Sequence, residues 1–559
     1  MTAVREWIFP QESAEPLGGF SRAAWHVLRS RGVRAPEEAD RLLDAASGRE
    51  HDPFLLDDMA VAVNRIRTAV DRREKIVVYG DYDADGLTAT ALLVSALEEL
   101  GVEVDAFIPS RFEEGYGLNE GALVRLKDSG AALVVSVDCG GRAVREAQAA
   151  AEAGLDLIVT DHHEPGPELP AAVAVVNPKR RGDSYPFKGL SGVGLAFKLV
   201  SAIEQATGAK FRALERKDLV AVGTVADLVP LVDENRTLVA QGIAHLRDDS
   251  SVGLAGLAEV AGIQRRRLTA RDIAFGLGPR LNAAGRLGSA WAAYRLLKSV
   301  DTTEAMSLAG ELDAANRERQ DATKSLLEDV RNRLERHDKI GPVIFEADES
   351  YGEGLLGPAA AKLVEEWHRP AIVVALRGGE ARGSARSVRG FHITQALEAC
   401  APLLWRFGGH EAAAGFSLDA NRVEELGERL AEIARRQDFA PTAPPVEVDV
   451  TVAPDEISTE LMEFLDRLEP FGMGFPPPLF ACLGMTLMGT KAVGRDRSHL
   501  RLLLRHPHGA REAIAFRQGH RRLRPGSVVD VAFYAERDVY MGVESVRWNV
   551  QALRNSPGS

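Results

Sequence analysis

Cysteine is scarce in this chain: three occur in 559 residues, Cys139, Cys400 and Cys482, odd in number and far apart. That excludes a disulfide framework and a cysteine-based zinc site, and it suits a reducing cytoplasm. Also missing is any continuous apolar run near twenty residues, so no membrane span or membrane partner is expected. The opening MTAVREWIFPQESAEP lacks a cationic start followed by an apolar stretch, which argues against a signal peptide. Nor is there a global positive excess: the net charge is −13, which taken alone speaks against a nucleic-acid binder. The deficit is not uniform. Between Lys491 and Arg524, ten Lys or Arg stand against two acids, Asp496 and Glu512, so an acidic protein can still present a basic face.

A chain of this length exceeds one hydrophobic core and should divide into about three or four domains. Residues 1–50 read as a polar helical cap. Over 51–302, short apolar runs alternate with helical sequence, the signature of a parallel-sheet α/β domain. KIVVY (75–79), LVVSV (133–137), DLIVT (156–160) and AVAVV (172–176) are its strand candidates, and a helix is expected over Thr88–Leu100. Residues 303–338 contain no proline, and Leu308, Leu312, Ala315, Ala322, Leu326, Val330 and Leu334 recur at helical spacing. One long connecting helix is expected there. A smaller α/β domain follows over 339–439. The proline-bearing APTAPPVE (440–447) then opens a strand-rich segment, 440–559, that reads as a small barrel or sandwich.

In a doubly wound sheet, ligands bind outside the carboxyl ends of the strands. Asp81, Asp83 and Asp85 follow KIVVY; Asp138 follows LVVSV; Asp161, His162 and His163 follow DLIVT; Asp227 closes the apolar run AVGTVADLVP. Singly, an Asp after a strand is more often a turn residue or a helix cap. Together they put carboxylates and imidazoles at one sheet edge, a donor set suited to Mn2+ or Mg2+. This many donors can hold two ions about 3.5–4 Å apart, the arrangement that cleaves phosphate esters. Spacing alone supports a two-metal phosphoesterase and nothing narrower.

GDYDADG, VDCGG, TDHH and GTVADLVPL resemble the four motifs of the DHH phosphoesterase superfamily. LSGVGLAFKL (190–199), GLGPRLNAAGRL (276–287), RFEEGYGL (111–118), ARGSARS (381–387), FGGHEAAAGF (407–416) and LEPFGMGFPPPLF (468–480) are similar to its RecJ branch. The resemblance implies a DHH domain, a long helix, a DHHA1 domain and a C-terminal OB-like β-barrel. It implies a 5′→3′ exonuclease of single-stranded DNA, active in recombination and repair with two divalent ions, Mn2+ or Mg2+. Carried over, the metal ligands are Asp81, Asp83, Asp85, Asp138, His162 and Asp227, with Asp138 bridging. Asp83, Asp85, Asp138, His162 and His163 are the catalytic set, His163 ligating or orienting the phosphate. Cys139 and Gly141 depart from the family's usual residues, and YGEGLLGPAA (351–360) is a loose version of another of its stretches. Cys139 itself reads most simply as a small semi-buried residue.

By the same resemblance, Arg111, Arg280, Ser384 and Arg386 hold the terminal 5′-phosphate, helped by Gly408, Gly409 and His410, in a groove between domains. Gly383 would let the backbone approach that phosphate closely. In the barrel, Arg501, Phe516, Arg517, Tyr534 and Trp548 are candidates for a single-strand platform of stacking and phosphate contacts. The alternative for each strand aromatic is barrel core. Removing 440–559 is expected to weaken the grip on long strands and spare the metal site. A single-strand-binding protein and a RecQ-type helicase are implied partners, and a cytoplasmic monomer is expected. Two rivals stand beside this reading. One is a shorter DHH hydrolase acting on pyrophosphate, cyclic dinucleotides or tiny RNAs. The other is a scaffold without catalysis, like the replication factor related to RecJ, which should have lost metal ligands.

Overall fold

Four β-branched or aromatic residues in five make Lys75–Tyr79 (β1) a strand, and apolar side chains on both faces bury it. It sits inside a parallel sheet with Val104–Phe107 (β2), Ala131–Val137 (β3), Asp156–Thr160 (β4) and Ala174–Val176 (β5). The strand order is β2-β1-β3-β4-β5, every pair parallel. The computed structural model describes all residues except 1–4, 11–17, 112, 337–339, 438, 440–441, 495–496, 541–542 and 558–559. Phe112, the two linker residues Ala440 and Pro441, and Asp496 of the basic stretch lie outside the described residues.

Helix Ala84–Glu99 (α1) starts four residues before the position its apolar spacing suggests. The cause is Asp83, whose Oδ1 accepts from the amides of Asp85 and Gly86 at 3.0 and 3.1 Å. This N-cap puts Asp85 inside the first turn. Helices Gly192–Thr207 (α2) and Lys217–Ala226 (α3) pack on α1. Gly192 is dictated by contact: a Cβ there would lie 2.6 Å from the Cβ of Asp138.

The chain forms two compact units. One comprises Val4–Pro279, Ala293–Met306 and Pro445–Ser559 and so contains both the parallel sheet and the C-terminal strands. The other comprises Arg280–Ala292 and Ser307–Pro444. A 33-residue helix, Thr302–Leu334 (α4), begins in the first and continues in the second. The second unit is built on a five-stranded sheet of Ile344–Asp348 (β6), Ala371–Arg377 (β7), Glu380–Arg386 (β8), Leu404–Gly409 (β9) and Ala413–Asp419 (β10). Its order is β9-β10-β8-β7-β6, and only β6 and β7 are parallel.

Val450–Thr451 (β11), Phe480–Val493 (β12), His499–His506 (β13), Gly509–Ala515 (β14), Val528–Tyr540 (β15) and Val543–Asn555 (β16) form the C-terminal sheet. Pairing of β12 with both β13 and β15 closes five of these strands into a barrel. The described helices of the N-terminal segment belong to the same unit. Helices Arg22–Ser30 and Pro36–Leu43 share one core with the barrel, in which Trp25 is buried beside Leu461, Phe464 and Phe480. Among the described residues, no helix is long and apolar enough to cross a membrane.

Trp548 must be removed from the single-strand platform. It is fully buried and stacks on Phe533 with ring centroids 3.8 Å apart and planes 6° from parallel. The reason is strand alternation: Val546, Trp548, Val550 and Ala552 share the inward face of β16. Phe516 stays partly exposed against the His499 ring, and Tyr534 is half-buried. Arg501 pairs with Glu512, and the amide of Arg517 donates to His499.

Candidate metal centre

The carboxyl ends of β1, β3 and β4 and the end of α3 deliver their acids and imidazoles to one place. Asp81, Asp85, Asp138 and His162 are all buried, and Asp83, His163 and Asp227 are partly so. Three trios of donor atoms form, each with its atoms within 4.8 Å of one another: Asp81, Asp83 and Asp138; Asp138, His162 and His163; Asp85, His162 and Asp227. Asp138 and His162 each belong to two trios. All seven residues assigned to the metal and catalytic set therefore fall in one cluster.

Asp138 reaches its place by an unusual backbone. Its φ is +64°, a left-handed value that costs a non-glycine residue of order 1–3 kcal/mol. The turn lets its amide donate to the Thr160 carbonyl at 3.0 Å while its carboxylate faces His162. His162 Nε2 lies 3.0 Å from Asp138, 3.4 Å from Asp227 and 3.9 Å from Asp85. Proximity is not pairing, however. Asp81 Oδ1, Asp138 Oδ1 and both ring nitrogens of His162 are buried and, among the described residues, have no hydrogen-bond partner. Each such orphan costs about 1–3 kcal/mol unless something fills it.

The charges tell the same story. Burial first, then the neighbouring Asp83 carboxylate, pushes Asp85 up to about 7 and raises Asp81 well above its ordinary value. Burial followed by Asp85 raises Asp138 strongly and Asp227 to about 9. Burial, then the charge of His163, depresses His162 to about 3, which keeps its lone pairs available. Four acids that resist ionising together and a neutral imidazole with idle nitrogens fit divalent cations, whose charge reverses each of these penalties. Cys139 is fully buried behind the site, packed in the sheet's core, and its thiol is pushed up by burial.

Asp161 is the residue that sequence reasoning left without a role. It lies 2.8 Å from His163 Nδ1 and also accepts from the amides of His163 (3.1 Å) and Gly141 (2.7 Å). Burial opposes charge on both partners, but their pairing prevails: Asp161 is lowered and His163 raised. The Tyr116 hydroxyl stands 3.1 Å from the same Nδ1. A sequence signal existed in TDHH itself, since an acid two residues before an exposed imidazole is placed to fold back onto it. Gly141 also has its cause here, because a Cβ would sit 2.8 Å from Asp161 Oδ2.

The assigned phosphate residues are distributed over both units. Arg111 lies in the unit with the metal cluster, its guanidinium 4.1 Å from the centroid of the Tyr82 ring. In the other unit Arg280 donates to Asp313 at 2.9 Å, and Arg386 donates to the Ser384 hydroxyl at 3.2 Å. Gly357 faces this pair, and a Cβ there would lie 3.1 Å from the Arg386 guanidinium. Gly408 opens on free space at the edge strand β9, Gly409 adopts φ +151°, and exposed His410 accepts from Thr394 through its carbonyl. Gly383 has a different reason from the one expected. It is the register partner of Phe416, whose ring a Cβ would meet at 2.0 Å, so its missing side chain serves cross-strand packing.

Known proteins bear on this geometry. Residues 75–224 match the DHH family N-terminal domain, 341–436 the DHHA1 domain and 448–552 the RecJ OB domain. The chain is 39% identical over 513 residues to the single-stranded-DNA-specific exonuclease RecJ of Bacillus subtilis, covering 90% of this chain and 64% of that relative's length. It is 35% identical over 555 residues to the protein of the same name from Dickeya dadantii, covering 94% of this chain and 95% of the relative. Among solved structures, RecJ from Thermus thermophilus in complex with Mn2+ superposes with a TM-score of 0.81 at 33% identity, over 96% of this chain and 76% of that one. The same protein in complex with Mg2+ gives 0.76 at 31% identity, over 96% of this chain and 75% of that one.

Proposed function

The chain belongs to the RecJ family of single-stranded-DNA-specific exonucleases, and from that premise we propose that it removes mononucleotides from the 5′ end of single-stranded DNA by two-ion hydrolysis. The observation that carries the proposal is the sharing of Asp138 and His162 among three donor trios. Mn2+ or Mg2+, when bound, acidifies a water and stabilises charge on the phosphate. Asp81 and Asp83 would hold one side of the centre and Asp85 and Asp227 the other, with Asp138 the ligand that would be shared between them. His162, whose pKa is depressed to about 3, would complete the second side as a neutral ligand. His163, whose charged form Asp161 favours, would use Nε2 to orient a phosphate oxygen, since its Nδ1 is engaged.

In this reading Arg111, Arg280, Ser384 and Arg386 bind the terminal phosphate. Burial disfavours charge on Arg386 and lowers its pKa, a penalty that a bound phosphate would relieve. The work belongs to recombination and repair in the cytoplasm, alongside a single-strand-binding protein and a helicase that supplies single strands. Three free, buried cysteines accord with that compartment.

The test uses a 5′-phosphorylated single strand of about twenty nucleotides with a 3′ label, incubated with Mn2+, Mg2+ or chelator. A blunt duplex and a cyclic dinucleotide run beside it. Metal-dependent shortening from the 5′ end with release of mononucleotides, confined to the single strand and lost in Asp138→Ala, is the expected result. Cleavage of the dinucleotide alone would move the substrate to small molecules, and hydrolysis of nothing would refute catalysis.

A further inference from the structure

The last strand of the parallel sheet, β5, ends in a pattern that the metal centre leaves unused. After Val176 the chain reads Asn177, Pro178, Lys179 and Arg180. These four residues make a turn, closed by the Arg180 amide, which donates to the Asn177 carbonyl at 3.1 Å. Pro178 at the second position presets its backbone. Asn177 is fully buried and uses both ends of its side chain. Its Oδ1 accepts from the Lys179 amide at 2.8 Å, and its Nδ2 donates to the His163 carbonyl at 2.9 Å. The Arg180 guanidinium donates to Asp58 at 2.7 Å and to the Val175 carbonyl at 2.8 Å. The turn is thus pinned to the sheet on one side and to the turn that carries His162 and His163 on the other.

What this anchoring presents is Lys179. Its side chain is 29% exposed, and among the described residues the one acid within 4 Å of its ammonium is Glu164, at 3.6 Å. Glu164 directly follows His163 and is itself exposed, and a surface pair of this kind contributes little to stability. Fold stability therefore does not account for so rigid a mount. The Lys179 charge is felt at Asp227 and at His162, where burial is the largest influence. At Asp81, where burial is again the largest, the arginine felt is Arg111. Two cations thus attend different donor trios: Arg111 that of Asp81, Asp83 and Asp138, and Lys179 that of Asp85, His162 and Asp227. A strand with its terminal phosphate at Arg111 and its first internucleotide phosphate at the centre would continue toward Lys179. Lysine suits that place, because it holds a phosphate as a point charge without the planar fit that arginine requires.

We propose that the Lys179 ammonium binds the second internucleotide phosphate of the strand, the one directly 3′ to the scissile phosphate. The proposal rests on the exonuclease reading above and deepens it. It gives the site a hold on the part of the strand that is retained when the terminal nucleotide leaves.

The experiment measures anisotropy of a labelled, 5′-phosphorylated single-stranded 20-mer in chelator, across a range of salt, with the full chain. The unmodified strand is compared with one whose second internucleotide linkage is an uncharged methylphosphonate, and with one neutral at the tenth linkage instead. K179M should weaken binding of the unmodified strand about fivefold, and K179R should restore it. The slope of log affinity against log salt should fall by about 0.7 in K179M, the share of one phosphate contact on a single strand. Wild type should lose the same on the strand neutral at the second linkage. K179M on that strand should lose about fivefold in all, not about twenty-fivefold, because the two changes remove one contact. With the tenth linkage neutral, the K179M loss should persist in full. Melting curves check that K179M folds, and the methylphosphonate comparison on wild type needs no variant. Wild-type affinity and slope in K179M, losses that multiply at the second linkage, or a wild-type chain indifferent to that linkage would each overturn the contact. Wild-type chain that binds DNA but hydrolyses none once Mn2+ is supplied would refute the exonuclease reading alone, with the contact still decided by the binding comparison. Wild-type chain that binds no DNA would refute both.

Discussion

At the scale of the residue, Asp161 and Asp218 show how one chemical group does different work in different surroundings. Asp161 holds His163 through Nδ1 and keeps its imidazolium favourable. Asp161→Asn should cut turnover about 10–100-fold with little change in KM, as losing a partner of a metal-site histidine does. NMR titration should then show the His163 pKa lower than in wild type; an unmoved pKa would deny Asp161 its positioning role. Asp218 lies far from that chemistry and is fully buried. Burial alone would raise it, but hydrogen bonding to His245, the Arg216 charge and Ser251 bring it down to about 2. A carboxyl depressed in the folded state contributes stability that is present above its unfolded value near pH 4 and lost as pH falls toward 2. Between pH 5 and pH 2, wild type should lose about 2 kcal/mol more than Asp218→Asn, by denaturant melts at each pH.

At the scale of the element, the strands and helices were legible where apolar periodicity was strong and acids marked their ends. The β1, β3 and β4 runs point their terminal acids into one cluster because parallel strands share a direction, and that follows from pattern alone. The start of α1 was not legible from apolar spacing, because a side-chain cap at Asp83 begins the helix before its first apolar face. Partners across the fold were equally hidden: nothing local to VADLVPLVDENR tells that Arg236 reaches the carbonyls of Leu468 and Pro470, both at 2.6 Å. Trp548 was legible and misassigned, for period-two alternation places it with Val546 and Val550. Trp548→Ala should cost about 3–5 kcal/mol and lower the melting temperature sharply. Phe516→Ala should leave melting nearly unchanged and weaken single-strand binding, and the opposite pattern by anisotropy and calorimetry would reverse their roles.

At the scale of the whole molecule, the barrel is less separable than its proline-bearing boundary suggests. Arg236 is 6% exposed, stacks 3.9 Å from the centroid of the Phe475 ring and bonds to backbone just ahead of the barrel. The N-terminal helices bury Trp25 in the barrel's own core. Truncation after residue 439 therefore strips partners from a buried guanidinium, a loss of about 3–5 kcal/mol by itself, and exposes the apolar face of residues 22–43. Such a chain should aggregate or melt early, where clean loss of long-strand binding with a sound metal site is the simpler expectation. Light scattering and melting of the truncated protein decide between the two.

The strained, crowded seat of Asp138 carries a lesson for anyone breeding this protein. A left-handed backbone, repelling carboxylates and idle imidazole nitrogens are liabilities of the metal-free fold, so mutations that erase them make the chain hardier. A library selected for heat survival in chelator should enrich replacements at Asp81, Asp138 and His162 and deliver robust, inert descendants. The same library selected in Mn2+ should keep all three, because there the ion turns each liability into a bond. Thermal selection of this protein is therefore a choice about chemistry before it is a choice about temperature.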